Sequence, residues 1–469
     1  MSSSETVKQI SECFIKPKYK VHEANQPYYL APMDLAMLCF HYIQKGLLFI
    51  KPSHFNNQEF SVNKHLQSLK ESLSLTLVHF YPLAGRLATR INKNQHESLV
   101  YVDCNKGDGA RFIYATLNMT VSEILSPKEV PVVVQSLFDH DRAINHDGHE
   151  LPLLSVQVTE LVDGVFIGCS MNHAIVDGTS YWHFWKLWSE IHRANNYKQL
   201  LVSRLPIHER WFPDGYGPIV QLPFTHPNEF VSRFETDQLK ERIFHFSKVS
   251  IARIKAKANK ESSNTCNNIS SFQSLSALVW RSIVRANCLS EDQITSCRIA
   301  SNNRHRLDPP LLPEYVGNCV TAIVTTTTAG ELLGHNLGWA ASLLHQSVVN
   351  HSDKTVHDFI NGWLQSPFVY QPCKMFDPYS VMMGSSPRFD MYGNEFGLGK
   401  AVAVRSGYAN KFVGKVTAYP GYEGGGSVDL EICLPPNSMR ALESDEEFMT
   451  AATEYNRYGL IKKVSQRGM

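Results

Sequence analysis

The chain has 469 residues with 45 basic and 44 acidic side chains, and its formal net charge is +1. This balance gives no electrostatic reason to predict a nucleic-acid partner, and the 43% hydrophobic content excludes global disorder. At about 150 residues per domain, the length allows roughly two to four domains. An enzyme with more than one hydrophobic core is the natural prediction.

The start of the chain carries neither the basic nor the apolar segment of a secretory signal. No apolar run reaches the ~18 residues of a membrane helix. The ten cysteines are scattered and include no CxxC pair. We therefore predict reduced thiols, no metal site, no membrane partner and a cytoplasmic monomer.

Apolar spacing predicts the elements of the first half. Residues 33–47 are mostly apolar and favour a helix, and apolar residues at spacings of three and four predict an amphipathic helix over residues 60–80. Residues 98–103 read as a strand. Residues 153–172 predict two strands joined by a turn at 162–164.

A proline-rich segment divides the chain. Residues 203–229 contain five prolines and no clear periodicity. We predict an N-terminal domain over 1–202, a crossover linker over 203–229 and a C-terminal domain over 230–469. Strands and helices are mixed on both sides of the linker, which indicates an α/β or α+β class.

The segment 164–192 carries the most chemical information. A strand leads into His173, a tight turn follows, and a helix begins for which Thr179 or Ser180 is the predicted N-cap. An imidazole with a pKa near 6.5, held at a strand end, is suited to act as a general base. Asp177 either orients this imidazole or, as we favour, points away and holds the turn by pairing with an arginine.

The pattern His173-x-x-x-Asp177-Gly178 in this setting resembles the BAHD family of plant acyl-CoA-dependent acyltransferases. Four further segments resemble motifs of that family in the same order. They are YPLAGR at 81–86, SSFQSLSALVWR at 270–281, RHRLDPPLLPEYVGN at 304–318 and EFGLG at 395–399. The resemblance therefore covers nearly the whole chain.

The resemblance implies a chloramphenicol-acetyltransferase-like α/β fold of two similar-sized domains with a channel between them. Acyl-CoA is the implied co-substrate, with no permanently bound cofactor, and a small plant metabolite is the implied acceptor. His173 would take a proton from the acceptor hydroxyl or amine, which attacks the thioester directly. Asp177 and Gly178 would then be structural or orienting residues.

Coenzyme A needs cationic and hydroxyl contacts for its phosphates. The basic stretch 253–257 and a helix N-terminus supply both, and the resemblance favours Lys255, Ser270 and Ser271 as the CoA-binding residues. The competing interpretation is that the lysines of this stretch form a solvated basic face of a helix and bind no ligand.

Arg388, together with Tyr42, is the predicted acceptor contact. A guanidinium is suited to bidentate binding of a carboxylate, which would imply an anionic acceptor. The competing prediction is a structural ion pair of Arg388 with Asp390 or Glu395.

One departure from the family pattern concerns the chemistry. The family carries DFGWG where this chain reads Glu395-Phe396-Gly397-Leu398-Gly399. The family's indole N–H is proposed to stabilise the oxyanion, and loss of such a donor costs about 3–4 kcal/mol in other enzymes. Leu398 has no donor. An acyltransferase, a repurposed lyase or cyclase acting on a small metabolite that can carry a carboxylate, and a non-catalytic binding protein therefore all remain open.

Overall fold

The structure is a computed structural model that describes residues 6–52, 54–55, 58–59, 61–194, 204–236, 238–262 and 268–453. None of the helices within these ranges is long and apolar enough to cross a membrane. The predicted domain boundary at residue 202 lies outside the described residues.

The strands are numbered along the chain. They are β1 Lys8–Ile15, β2 Tyr28–Tyr29, β3 Ile43–Ile50, β4 His54–Phe55, β5 Gln58–Glu59, β6 Arg86–Asn92, β7 Glu97–Asp103, β8 Ala110–Thr116, β9 Leu154–Glu160, β10 Gly164–Met171, β11 Lys240–Phe246, β12 Ile294–Asn302, β13 Val320–Thr328, β14 Val381–Gly384, β15 Ala403–Ser406, β16 Lys415–Pro420 and β17 Val428–Leu434.

The α-helices are numbered in the same way. They are α1 Pro32–Leu35, α2 Val62–His79, α3 Val121–Leu125, α4 Gly178–Arg193, α5 Lys248–Glu261, α6 Ser271–Ala286, α7 Ala329–Gly334, α8 Leu337–Asn350, α9 Asp353–Gln365, α10 Pro372–Met375, α11 Pro436–Glu443 and α12 Glu446–Ala451.

The first sheet has the order β1-β8-β9-β10-β3-β15. Strand β10 lies inside it, antiparallel to both β9 and β3, and all eight of its residues are buried. Helices α2 and α4 pack together beside it, and their leucines and tryptophans share one core with Ile167 and Met171 of β10. The strand that leads to His173 is therefore held on both edges and covered by helices.

The helix predicted over residues 33–47 is wrong. Helix α1 ends at Leu35, and β3 begins at Ile43 and pairs with β10 on one edge and β15 on the other. Residues 47–50 of β3 are a short apolar run without alternation, and such a run cannot be told from a buried helix by periodicity.

The second sheet has the order β11-β17-β16-β14-β12-β13. One face is apolar, with Val416, Ala418, Leu430 and Ile432 in a core that helices α5 and α6 cover. On β16 and β17 the alternate positions Lys415, Thr417, Tyr419 and Glu431 are polar or charged and belong to the other face. Tyr419 and Glu431 bond to Lys45 and Ser406 of the first sheet, so this polar face meets the N-terminal half.

Both halves contain a mixed sheet with helices, which confirms the predicted α/β class with two sheet-containing parts. Two segments tie the halves together. Strand β15, from the C-terminal half of the chain, pairs with β3 and completes the first sheet. Leu222 of the predicted linker is fully buried and exchanges two backbone hydrogen bonds with Ser98. The division into domains at 203–229 stays a prediction.

Candidate active site

His173 lies two residues beyond the end of β10, and its backbone is fixed on both sides. Its N–H donates to Asn145 Oδ1 at 2.7 Å, and its carbonyl accepts from Asn318 Nδ2 at 2.7 Å. The preceding residue, Asn172, is fully buried and donates to the carbonyl of Asn145. These bonds hold the backbone of residue 173 without using its ring.

The ring of His173 is partly exposed although its Nδ1 atom is buried. This leaves the Nε2 edge of the ring for a substrate. Burial lowers the pKa of His173 below its usual value near 6.5, and the Lys415 ammonium acts in the same direction. The imidazole is therefore neutral, and able to accept a proton, at neutral pH.

Asp177 points away from His173 and pairs with an arginine. The distance from Arg304 Nη1 to Asp177 Oδ2 is 2.6 Å, and Nη2 lies 3.1 Å from Oδ1. Both side chains are almost completely buried. Burial alone would raise the pKa of Asp177, but the Arg304 guanidinium and the backbone N–H groups of Ser180 and Cys319 hold it below the usual range.

The N-cap of helix α4 is Asp177, so the N-caps predicted at Thr179 and Ser180 are wrong. Asp177 Oδ1 accepts from the Ser180 N–H at 3.0 Å, as an N-cap carboxylate does. Ser180 lies inside the helix and contributes its hydroxyl to the carbonyls of Tyr315 and Gly317.

Gly178 is the first residue of α4, and a side chain there would be crowded. A Cβ built there would lie 3.3 Å from the ring of Phe389. The small residue therefore lets the segment 387–392 approach the start of the helix. This is a packing requirement, and the φ angle of Gly178 is not in the left-handed region.

Sequence reasoning missed the buried network behind His173. Asn318 donates its N–H and its Nδ2 to Asp34 Oδ1, at 2.8 and 3.0 Å. Arg210 Nη2 lies 3.6 Å from Asp34 Oδ2 and its guanidinium lies over the ring of Tyr28. Asn318 was visible as the last residue of the segment 304–318, but nothing in the sequence connects it to Asp34, 284 positions away.

The variant segment at 395–399 packs on helix α4. Phe396 is fully buried, with ring centroids 4.6 Å from Trp188 and 5.7 Å from Trp185. Leu398 is 7% exposed and belongs to the same apolar core. Gly397 has φ of +74°, a left-handed conformation that favours glycine. Leu398 thus fills core space and offers no side-chain donor.

Arg388 is exposed and forms no ion pair with Asp390, Glu395 or any other carboxylate in the described part of the chain. The competing prediction of a structural ion pair is therefore wrong. Asp390 instead accepts from the Gly393 N–H at 3.0 Å. The guanidinium is close enough to His305 to lower the pKa of that imidazole, after burial as the larger cause.

Tyr42 is fully buried, and its ring packs edge-on against His140 at 5.0 Å. Burial raises the pKa of its hydroxyl above the usual range. Because none of its surface is accessible, side chains would have to move before an acceptor could touch it. Its contact with the acceptor stays a prediction.

The predicted CoA residues lie at the start of α6 and on the neighbouring helix. Ser270 is the N-cap: its Oγ accepts from the Gln273 N–H, and Gln273 returns a bond to the Ser270 N–H at 2.8 Å. Ser271 is the first helical residue. Lys255 is exposed on α5, and Asn259 of the same helix bonds to both backbone groups of Ile269. This places the basic helix beside the N-terminus of α6.

The sequence model of the Transferase family matches residues 5–449 of this chain. An uncharacterised acetyltransferase of Arabidopsis thaliana is 35% identical over 452 residues, which cover 94% of this chain and 98% of that protein. The BAHD acyltransferase DCR of the same plant is 34% identical over 459 residues, which cover 94% of this chain and 92% of DCR.

Two solved structures share the fold. Vinorine synthase superimposes with a TM-score of 0.73 at 22% identity, covering 95% of this chain and 98% of its own. TRI101 of F. graminearum, solved with coenzyme A and T-2 mycotoxin, gives a TM-score of 0.73 at 17% identity, covering 91% of this chain and 99% of its own.

The two mixed sheets define the fold class that this chain shares with vinorine synthase and TRI101. Within that class, the chain belongs to the BAHD family of transferases, which confirms the resemblance seen in its sequence. It is an acyl-CoA-dependent acyltransferase, with acyl-CoA as co-substrate.

Proposed function

We propose that this enzyme transfers an acyl group from acyl-CoA to a hydroxyl or amine of a small plant metabolite, with His173 as the general base. The observation that carries the proposal is the setting of His173. Its backbone is bonded by Asn145 and Asn318, its Nδ1 is buried and its pKa is lowered by burial. A neutral, positioned imidazole is what proton abstraction from an alcohol or amine requires.

The proposed step needs no acyl-enzyme. His173 accepts the proton of the acceptor O–H or N–H while the acceptor atom forms a bond to the thioester carbonyl carbon. The tetrahedral intermediate then collapses, the C–S bond breaks, and the CoA thiolate takes the proton from His173. The free cysteines support this choice, because burial raises the thiol pKa of Cys169 and Cys319 and makes them poor nucleophiles.

For the CoA phosphates we propose Lys255 and the N-terminus of α6 at Ser270 and Ser271. The support is the helix itself, since its first N–H groups and its dipole favour an anion. Lys255 is exposed and forms no ion pair with the described carboxylates, so its charge is available. Lys257 is less suited, because it is paired with Glu447 at 3.0 Å.

A second candidate function is lyase or cyclase chemistry in the same site. The observation that favours it is Leu398, which is buried in the core and supplies no donor for an oxyanion. Chemistry without a tetrahedral oxyanion would not need that donor.

Acceptor-dependent release of the CoA thiol separates the two functions. The purified enzyme is given a panel of acyl-CoAs and candidate acceptors, and the thiol and the acylated product are measured together. We expect one thiol for each product and none without an acceptor. Product formed with no acyl-CoA present would favour the lyase or cyclase.

We further propose that Arg388 binds a carboxylate of the acceptor, since its guanidinium is exposed and has no carboxylate partner among the described residues. Arg388→Ala is then expected to raise KM for a carboxylated acceptor about tenfold, the size of one charged hydrogen bond, and to leave the methyl ester of that acceptor unchanged. Steady-state kinetics on the acid and the ester check this. An equal loss for both would contradict it.

We also propose that the enzyme acts as a cytoplasmic monomer. The described cysteines are all free, which fits a reducing compartment. Light scattering of the purified protein should give the mass of one 53.0 kDa chain, and a fluorescent fusion should label the cytoplasm. A dimer mass or a membrane-bound signal would contradict these two proposals.

A further inference from the structure

A group of charged side chains lies where the two sheets meet. We call it the intersheet charge cluster, and its members come from β3, β11, β16, β17 and the loop before β16. They are Lys45, Glu241, Lys411, Lys415 and Glu431. Three ammonium groups therefore share two carboxylates.

Lys411 uses both carboxylates. It forms an ion pair with Glu241 and lies 3.8 Å from Glu431. Glu431 also accepts from the hydroxyls of Ser406 and Tyr419, the latter at 3.1 Å. Lys411, Glu241 and Glu431 are each less than 10% exposed, so this part of the cluster is closed to a ligand.

Among the described residues, the other two lysines form no ion pair with a carboxylate, although the Glu431 charge acts on both. Lys45 Nζ donates to the Tyr419 hydroxyl at 3.2 Å, and within the described residues Lys415 Nζ makes neither a hydrogen bond nor an ion pair. Both side chains are partly exposed. Burial lowers the pKa of Lys45 and of Lys415 to about 8, against the opposing effect of the Glu431 carboxylate, and the Lys411 and Lys415 charges lower the pKa of Lys45 further. Both are still mostly protonated at pH 7.

Gly384 makes room for the Lys415 ammonium. A Cβ at this position would lie 2.3 Å from Lys415 Nζ and 3.2 Å from its Cε. The ammonium therefore lies against the bare backbone of β14. This position of the ammonium is tight, and a methyl group at residue 384 would displace it.

The two lysines lie on the side of the reacting histidine. Lys45 is opposite Cys169 on β10, the strand that ends just before His173. The Lys415 charge contributes to the lowered pKa of His173, after burial as the largest cause. Three desolvated cations that share two carboxylates are costly, and a further carboxylate between Lys45 and Lys415 would offset that cost.

We propose that Lys415 and Lys45 bind a carboxylate of the substrate, carried either by the acyl group of acyl-CoA or by the acceptor, in the latter case in place of Arg388. The inference rests on the proposed acyl transfer at His173 for the identity of the two substrates. The positive charge itself does not depend on that reaction, and a binding measurement can therefore test it alone.

The binding test is pulse labelling of lysines with acetic anhydride, followed by mass spectrometry of the peptide that carries residue 415. The probes are malonyl-CoA against acetyl-CoA, and a panel of hydroxy- and aminobenzoic acids against their methyl esters. At least one acid is expected to slow labelling of Lys415 fivefold or more relative to its neutral counterpart. The exposed Lys354 should label at one rate throughout.

The two sets of probes show which substrate carries the carboxylate. Protection by malonyl-CoA assigns it to the acyl group, and protection by a free acid assigns it to the acceptor. If no acid protects Lys415, or if esters and acetyl-CoA protect it equally, the proposal is overturned. Because labelling needs no turnover, this result stands whether or not acyl transfer is found.

Variants give a second readout once a protective acid is found. Lys415→Met and Gly384→Ala should each weaken binding of that acid tenfold or more, measured by calorimetry, whereas Lys415→Arg retains part of it. Lys354→Met is the matched control and should bind normally. Equal binding by Lys415→Met and the control, at an unchanged unfolding temperature, would overturn the role of Lys415.

Discussion

Replacement of His173 by glutamine is expected to lower kcat/KM by about 10²–10⁴, the usual contribution of a positioned general base. The substitution removes the proton acceptor but not the hydrogen bonds that position residue 173, because both come from its backbone. CoA-thiol release with saturating acceptor measures the loss. The unfolding temperature should stay close to that of the wild type.

The pH dependence of kcat/KM gives a second test of His173 as the base. Burial lowers the pKa of His173, so the base stays neutral below the usual value near 6.5. We expect kcat/KM to be flat near neutral pH and to fall on the acid side, with an apparent pKa below 6.5. This limb should be absent from the residual activity of His173→Gln.

His183→Gln is the matched control. His183 lies on α4 and contacts the carbonyl of Arg204 at 3.0 Å, so it tests histidine loss outside the site. We expect its kcat/KM to be within about twofold of wild type, since this half-buried imidazole packs on Phe80 and takes no part in the proposed step. Equal losses in His173→Gln and His183→Gln would contradict the assignment of the base.

Replacement of Asp177 by asparagine is expected to destabilise the protein by about 3–5 kcal/mol, because it leaves the buried Arg304 without its counterion. Arg304 is 2% exposed and also bonds to the carbonyls of Tyr315 and Gly317. The pair joins the turn after His173 to the C-terminal half. The midpoint of thermal unfolding should therefore fall, and activity should fall with it.

Asp358→Asn is the control for this prediction. Asp358 pairs with Lys354 one helical turn away at 2.6 Å, and both side chains are more than half exposed. Such a pair contributes only about 0.3–0.5 kcal/mol, so its loss should barely move the midpoint. Adding Arg304→Met to Asp177→Asn should restore part of the stability, since it removes the unpaired buried charge. Equal shifts for Asp177→Asn and Asp358→Asn would refute the argument.

The pH dependence of stability follows from the same pair. The folded-state pKa of Asp177 is lowered, so this carboxylate stabilises the native protein at neutral pH and ceases to do so as acid protonates it. The loss begins below the unfolded value near 3.8 and deepens as the pH falls through the folded pKa. Asp177→Asn should remove this contribution.

Much of the fold could be predicted because its signals are local. Helix α2 was visible in its leucine spacing, and the hairpin of β9 and β10 in two apolar runs around a turn. Strand β3 was predicted as part of a helix because its apolar run shows no alternation, and the strands that pair with its two edges, β10 and β15, lie far away in sequence. The short strand β15 could not be assigned to the first sheet for the same reason.

The candidate site also divides into residues that the sequence could predict and residues that only the tertiary structure could show. His173, Asp177 and Gly178 could be named from one short motif, and Leu398 from a departure within another. The N-cap was misassigned because Asp177, Thr179 and Ser180 are all good caps, and only the position of Arg304 decides which one is used. Asn145, Asn318 and Asp34 carry no local pattern, and their roles arise from pairing over 28 to 284 positions.

The net charge of the whole chain is close to zero, but the folded protein distributes its charges unevenly. The sequence by itself determined the family, the histidine at the strand end and the lack of a donor at Leu398, since each depends on a few adjacent residues. Only the tertiary structure decided that Arg388 is unpaired and that three lysines share two glutamates between the sheets. Such an excess of charge is a property of side chains from segments as far apart as β3, β11 and β17, and it exists only when the two sheets face each other.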